Sequence, residues 1–186
     1  MQLQQLVSRF ILRPLPQQSP QPGTGLRQSA VLVPLVYSAN QLNILFTRRA
    51  LTLAHHPGQI SFPGGMLEAG ETAAYAALRE TEEEIGISAQ RIRLLGSLPA
   101  HNTLTGFQIQ PYLGLIQAGQ PYRLSSAEVS EVFEVPLSFF LPPQHRQQLA
   151  VPLRGKSRQI HFMPYQDKLI WGATAAIIQQ LVTHLS

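Results

Sequence analysis

The sequence predicts an α/β or α+β sandwich, a mixed sheet with helices packed against it. Three observations carry this. Short apolar runs bounded by turn residues recur along the chain and read as strands. Two longer segments, 72–85 and 169–182, read as helices. Several strands follow one another directly while others are separated by helices, which mixes hairpin pairing with crossovers.

Each element has a local reason. Residues 1–12 place Leu3, Leu6, Val7, Phe10 and Ile11 at helical spacing and predict a short amphipathic helix. Pro14, Pro16, Pro20 and Pro22 follow, so 1–28 reads as an N-terminal helix with a Pro/Gln-rich linker and 29–186 as the main domain. AVLVPLVY (30–37) and LNILFT (42–47) are apolar strands joined at Ser38-Ala39-Asn40-Gln41. QISF (59–62) is a short strand entering Pro63-Gly64-Gly65, and 66–71 is loop. Thr72 to Ile85 is a helix of alanine and glutamate, stopped by Gly86. Residues 91–98, 107–117, 131–137 and 158–164 read as strands, and 138–149 as a short helical turn. His101 and Asn102 fall between strands, as a turn. Residues 169–182, LIWGATAAIIQQLV, form a closing helix with Trp171 in its core face.

Composition narrows the function. A chain of 186 residues is one domain. It has no cysteine, which excludes a disulfide scaffold, a thiolate zinc site and a cysteine nucleophile. No apolar run is long enough to span a membrane, and the start lacks the features of a signal peptide, so a cytoplasmic protein is expected. Fourteen basic residues against ten acids give a net charge of +4. The bases are scattered, with Arg48-Arg49 the longest basic run, which suits a small phosphorylated ligand better than a nucleic acid. The acids are concentrated: Glu68, Glu71, Glu80, Glu82, Glu83 and Glu84 lie in one stretch without a lysine. A solvated helix face would mix Glu with Lys.

On the 72–85 helix, Glu80, Glu83 and Glu84 share a face at spacings i, i+3 and i+4. Three carboxylates there repel one another, and a divalent cation removes that cost. Oxygen ligands on a partly open site suit Mg²⁺ or Mn²⁺, with substrate phosphates completing the shell. Ala77, Leu78, Thr81 and Ile85 form the arc that packs on the sheet, while Ala73 and Ala76 beside the glutamates leave room for a ligand. Arg79 can pair with a loop carboxylate such as Glu71 and hold loop to helix. Gly64 and Gly65 let backbone turn sharply and come close to a ligand.

Read together, Gly65 to Ile87 is G-x5-E-x7-R-E-T-x-E-E-x-G-I. This resembles the Nudix box. Gly65, Glu71, Arg79, Glu80, Glu83, Glu84 and Gly86 match its fixed letters, and Thr81 is the one departure, where the box has a bulky apolar residue. The resemblance implies an α/β/α sandwich with the box as loop–helix–loop. It further implies hydrolysis of a nucleoside diphosphate linked to another moiety, with Mg²⁺ or Mn²⁺ held by Glu80, Glu83 and Glu84. One more glutamate is expected to assist as base or ligand. Glu128, on a loop able to fold over the helix, is the first candidate and Glu131 the second. Glu134 is expected to face solvent.

Residues 45–65 resemble the second signature of the coenzyme A pyrophosphatase branch through Leu45, Thr47, Arg49, Ala50, Gly58, Phe62, Pro63, Gly64 and Gly65. Phe46 and Ala54 depart from it, the latter where the signature has arginine. The likeness extends over nearly the whole chain. It implies cleavage of coenzyme A or a derivative to 3′,5′-ADP and 4′-phosphopantetheine. Arg48, Arg49, Gly64 and Gly65 are the expected substrate-binding residues, with Arg79, Glu83 and Glu128 the catalytic ones. His55 and His56 read as a surface loop pair. Alternatives are another nucleotide substrate (a nucleoside triphosphate, ADP-ribose or a dinucleotide) or a Nudix-fold binding module. The N-terminal segment is available for a homodimer or to cover the site.

Overall fold

The computed structural model describes residues 3–13, 25–38, 40–117, 119, 121–153 and 155–186. The predicted linker therefore falls mainly outside the described residues. Helix α1 (Leu3–Leu12) precedes strands β1 (Arg27–Ser38), β2 (Gln41–Arg49), β3 (Ile60–Ser61) and β4 (Gly64–Met66). Helix α2 (Ala73–Ile85) leads to β5 (Ile92–Ser97), β6 (His101–Asn102), β7 (Phe107–Ile116) and β8 (Val129–Pro136). A short α3 (Leu137–Phe140) precedes β9 (Gln147–Leu153), β10 (Lys156–Tyr165) and β11 (Lys168–Trp171), and α4 (Gly172–Leu185) closes the chain.

The large sheet runs β3-β2-β1-β7-β5, with β4 paired to β1, β6 to β7 and β8 to β2. β1 and β7 are parallel over ten pairs, from Arg27↔Phe107 to Val36↔Ile116, while the other pairs are antiparallel. β9, β10 and β11 form a separate antiparallel sheet. The mixed sheet of the predicted sandwich is therefore present.

Strand alternation sorts the apolar residues onto two faces. Leu32, Val36 and Leu45 pack with Ala76, Ala77 and Ile85 of α2. Val33, Leu35, Ile44 and Phe46 pack with Ile177, Ile178, Leu181 and Leu185 of α4, and with Leu6 and Phe10 of α1. A central strand buried on both sides reads as a continuous apolar run, which is why 32–36 shows no period-2 pattern. Phe46 anchors the second face, stacked between Phe62 and Phe133 at 5.2 and 5.6 Å. Burying such a ring contributes about 1.5–3 kcal/mol. Two hydrogen bonds tie α1 to the last turn of α4: Arg9 Nη1 donates to Leu185 O at 3.0 Å and Arg13 Nη1 to His184 O at 3.2 Å. His184 Nε2 lies 3.0 Å from Phe10 O.

Three expectations are corrected by the fold. The closing helix begins at Gly172, because residues 168–171 pair with β10 as a strand. Gly172 takes φ +66° at that switch, a region glycine enters without steric cost. Trp171 is 40% exposed on β11, outside the core. His101 and Asn102 pair with Ile109 and Gln108 as a strand instead of forming a turn.

Candidate active site

Helix α2 starts at Thr72, whose hydroxyl accepts from Tyr75 N at 3.3 Å, and ends at Gly86 with φ +71°. Both caps are those its sequence encodes. Thr81, the departure from the box, is fully buried, and its hydroxyl donates to Ala77 O at 2.6 Å. A polar side chain thus fills an apolar position with its donor satisfied one turn back. Ala76 is also fully buried against the sheet, so it leaves no space for a ligand, contrary to the helical-wheel expectation.

Arg79 is the hub of the loop–helix–loop. Its Nε donates to Glu71 Oε1 at 2.8 Å and its Nη2 to Glu71 Oε2 at 3.1 Å, a bidentate pair. Nη1 reaches Glu80 Oε1 at 2.9 Å and Glu83 Oε2 at 3.0 Å, and Nη2 also donates to Met66 O at 3.2 Å. The Arg79 hydrogen bonds, then that from Glu68 N, hold Glu71 below the usual carboxylate range. The same pairs raise the Arg79 pKa further, against the effect of burial.

Glu80 and Glu84 face β4. Backbone geometry makes this possible. A methyl on Gly65 would collide with the Glu80 carboxylate, and one on Gly64 would collide with Ala30 O and Val31. The Gly64 backbone also favours the charged form of the Glu84 carboxylate. Gly65 therefore makes room for the Glu80 carboxylate, while Gly64 lets β4 lie close against β1. Burial raises the Glu80 pKa, with Glu83 and Glu128 adding to it and Arg79 opposing. Burial pushes Glu84 up to about 8, reinforced by Glu80 and Glu128 and opposed by Arg49 and the Gly64 backbone. Glu84 Oε2 is buried and has no hydrogen-bond partner.

Glu128 is exposed, on the segment that crosses the C-terminal end of α2, and is near enough to raise the pKa of both Glu80 and Glu84. Glu83 is 55% exposed and turned to Arg79. Among the described residues no three carboxylates or histidines converge into a ready-made metal cage. The donor set still fits a divalent cation. Two partly buried carboxylates and a third close by are all oxygen, they repel one another, and one buried oxygen lacks a partner.

The two neighbouring arginines have separate fates. β2 pairs with β8 through Arg48↔Glu131 and Phe46↔Phe133, so Arg48 lies on the α4 face of the sheet, opposite α2. Its Nη1 meets Glu131 Oε2 at 3.5 Å and its Nε donates to Gly58 O at 3.4 Å. Glu131 Oε1 also takes Lys168 Nζ at 2.7 Å. Glu131 is thus tied to two cations away from the box. After the bulge at Arg48/Arg49, Arg49 is the cation that acts on Glu84. The 51–57 loop beyond it carries exposed Ala54, His55 and His56, consistent with the expected surface pair.

Glu134, expected in solvent, is part-buried. Its Oε2 accepts from Ser38 Oγ at 2.6 Å and Asn43 Nδ2 at 2.9 Å, and its Oε1 from Tyr122 Oη at 2.9 Å. These partners lie up to 96 positions away in the chain, and no local pattern signals them.

Comparison with known proteins shows the family. The NUDIX domain family model matches residues 26–175. An uncharacterized Nudix hydrolase NudL of Photorhabdus laumondii is 39% identical over 180 residues, 96% of this chain and 95% of that protein. The protein of that name from Salmonella typhimurium is 38% identical over 185 residues, 98% of this chain and 94% of its own. Among solved structures, the NUDIX domain of Shewanella oneidensis NrtR in complex with ADP ribose aligns with TM-score 0.56 and 19% identity, covering 91% of this chain and 95% of that one. A MutT Nudix hydrolase from Burkholderia pseudomallei aligns with TM-score 0.51 and 20% identity, covering 83% and 96%. The last two show likeness of fold.

Proposed function

The chain belongs to the NUDIX family and is a Nudix hydrolase, and from that premise we propose that it cleaves the diphosphate of coenzyme A or its derivatives, with Mg²⁺ or Mn²⁺, to 3′,5′-ADP and 4′-phosphopantetheine. The observation that carries the reading is the group Glu80, Glu84 and Glu128, whose carboxylates repel one another, with Arg49, on the strand leading into the 51–57 loop, acting on Glu84. The likeness of residues 45–65 to the coenzyme A pyrophosphatase signature supports the substrate.

The residues divide the work by position. Glu80 and Glu84 would hold the cation, with Glu83 joining once it leaves Arg79. Bound there, the cation would polarise the phosphate oxygens and acidify an attacking water. Glu128, exposed and near enough to both carboxylates to raise their pKa, would take that water's proton. Arg49, the cation that acts on Glu84, would receive a substrate phosphate. Arg79 keeps Glu71 and the 66–72 loop against the helix. Arg48 drops out of the substrate set, since Glu131 already holds it on the other face. One observation favours a second reading: the 51–57 loop has no arginine at Ala54, which suits a substrate with fewer phosphates, such as ADP-ribose.

A turnover assay on coenzyme A, ADP-ribose, a dinucleoside polyphosphate and deoxynucleoside triphosphates tests the proposal, with Glu83→Gln as control. Phosphopantetheine and 3′,5′-ADP lost in the variant would support it; cleavage of another substrate with coenzyme A untouched would overturn it. Glu128→Gln should lower kcat about a hundredfold or more while Mn²⁺ still binds; near-normal turnover would remove Glu128 from the mechanism. Arg49→Ala should raise KM roughly tenfold or more, whereas Arg48→Ala should leave kcat/KM within about threefold. Equal effects of the two arginines in steady-state kinetics would contradict the division of faces.

A further inference from the structure

Segment 121–128 carries Glu128, and the way it is held depends on residues outside the Nudix box. It crosses the end of α2 and satisfies two of the helix's last carbonyls: Arg123 N donates to Ile85 O at 3.0 Å and Ser125 N to Glu84 O at 2.9 Å. Gly86 makes the crossing possible, because a Cβ there would lie 2.7 Å from Arg123 Cβ. A turn then follows, with Glu128 N and Val129 N both donating to Ser125 O at 2.9 and 2.7 Å, and Glu128 O accepting from Ala50 N at 2.7 Å. The downstream end of the segment is fixed by β8. At its upstream end, the side chain that reaches into the fold is Tyr122. Its ring packs with the cluster beneath α2, and its hydroxyl donates to Glu134 Oε1 at 2.9 Å. Glu134 is itself fixed by Ser38 and Asn43, which also bond each other at 2.7 Å.

We propose that Tyr122 and Glu134 are positioning residues: their hydrogen bond anchors segment 121–128 over the end of α2 and so keeps Glu128 beside Glu80 and Glu84. The bond joins β8 to the segment that precedes it, twelve positions away. Its loss would free the segment's upstream half while leaving β8 and the box paired. Burial raises the Tyr122 pKa, with Glu134 adding to it, so the phenol keeps the proton it donates across the usual assay range. The proposal rests on the catalytic reading of Glu128, but the anchor can be tested apart from it.

Tyr122→Phe keeps the ring and removes the donor. Amide hydrogen exchange at Arg123 and Ser125 in the metal-free protein is expected to speed up about tenfold, the size of one hydrogen bond to a carboxylate, with the exchange of β1 and β7 unchanged. Mn²⁺ affinity and kcat should each fall about three- to tenfold with KM unchanged, and these losses should vanish in the Glu128→Gln background. Glu134→Gln, which still accepts from Tyr122, should restore most of the exchange protection that Glu134→Ala loses. Unchanged exchange in Tyr122→Phe would overturn the anchor. Losses that simply add to those of Glu128→Gln would overturn its action through Glu128. A wild-type protein inert on every substrate would instead strike the functional reading, and the exchange and Mn²⁺ measurements would still decide the anchor.

Discussion

Glu84→Gln should abolish turnover, by about a thousandfold or more, while making the metal-free protein more stable at alkaline pH. The loss follows from the proposed role of Glu84 as a charged oxygen ligand of the cation. The gain follows from linkage. Glu84 has its folded pKa raised to about 8 from an ordinary value of 4.5. Between these values the folded protein holds a proton that the unfolded chain has released, so stability falls as pH rises through the window and the loss is complete above pH 8. The cost at pH 9 is of the order of a few kcal/mol. The amide of the variant cannot ionise. Thermal unfolding without metal at about pH 6 and about pH 9 should show the wild type losing Tm across that interval more than the variant. Adding Mg²⁺ should raise the wild-type Tm more at the alkaline end than at the acid end, and should hardly move the variant. A wild-type Tm that climbs across the same interval without metal would refute the assignment of Glu84 as a destabilised carboxylate.

Arg79→Lys should be nearly as damaging, although it keeps the charge. One guanidinium meets Glu71 through two nitrogens and also reaches Glu80, Glu83 and Met66 O. An ammonium is a single point with three donors and cannot span that set. The 66–72 loop would lose its hold on α2, and the Glu71 carboxylate would be left with the bond it accepts from Glu68 N. Misplacement of a catalytic frame by about 1 Å is enough to cost about a hundredfold, and kcat in Arg79→Lys should fall by at least that. Limited proteolysis should cut the variant between residues 66 and 72 sooner than the wild type. A variant with normal kcat would mean that Glu71 and the loop need no bidentate partner.

The box is legible in the sequence because its chemistry is local. Glu80, Glu83 and Glu84 lie within about one helical turn, their capping residues flank them, and Arg79 and Glu71 are eight residues apart. Face assignments are legible only in part. The wheel separates a carboxylate arc from a packing arc, but Glu84 is itself buried, so the two arcs overlap and Ala76 ends in the core. Arg48 and Arg49 look alike in sequence; the strand pairing and a bulge set them apart. The small sheet is half visible. β9 is largely exposed and carries no clean alternation, and β11 is short enough that its apolar residues merge with the helix behind it. The burial of Glu134 leaves no local trace, because Ser38, Asn43 and Tyr122 come to it through tertiary pairing.

The bonds between α1 and α4 join residues 171 to 176 positions apart. Closing a loop of that length costs about 4–5 kcal/mol of chain entropy if nothing between is ordered. The contact is therefore favourable only after the sheet and α4 have formed and shortened the effective loop. This places α1 at the end of the folding order, docking Leu6 and Phe10 into a cleft already built. The same order reversed makes α1 the first element to leave, and native-state exchange in α1 should report an opening well below the global unfolding free energy.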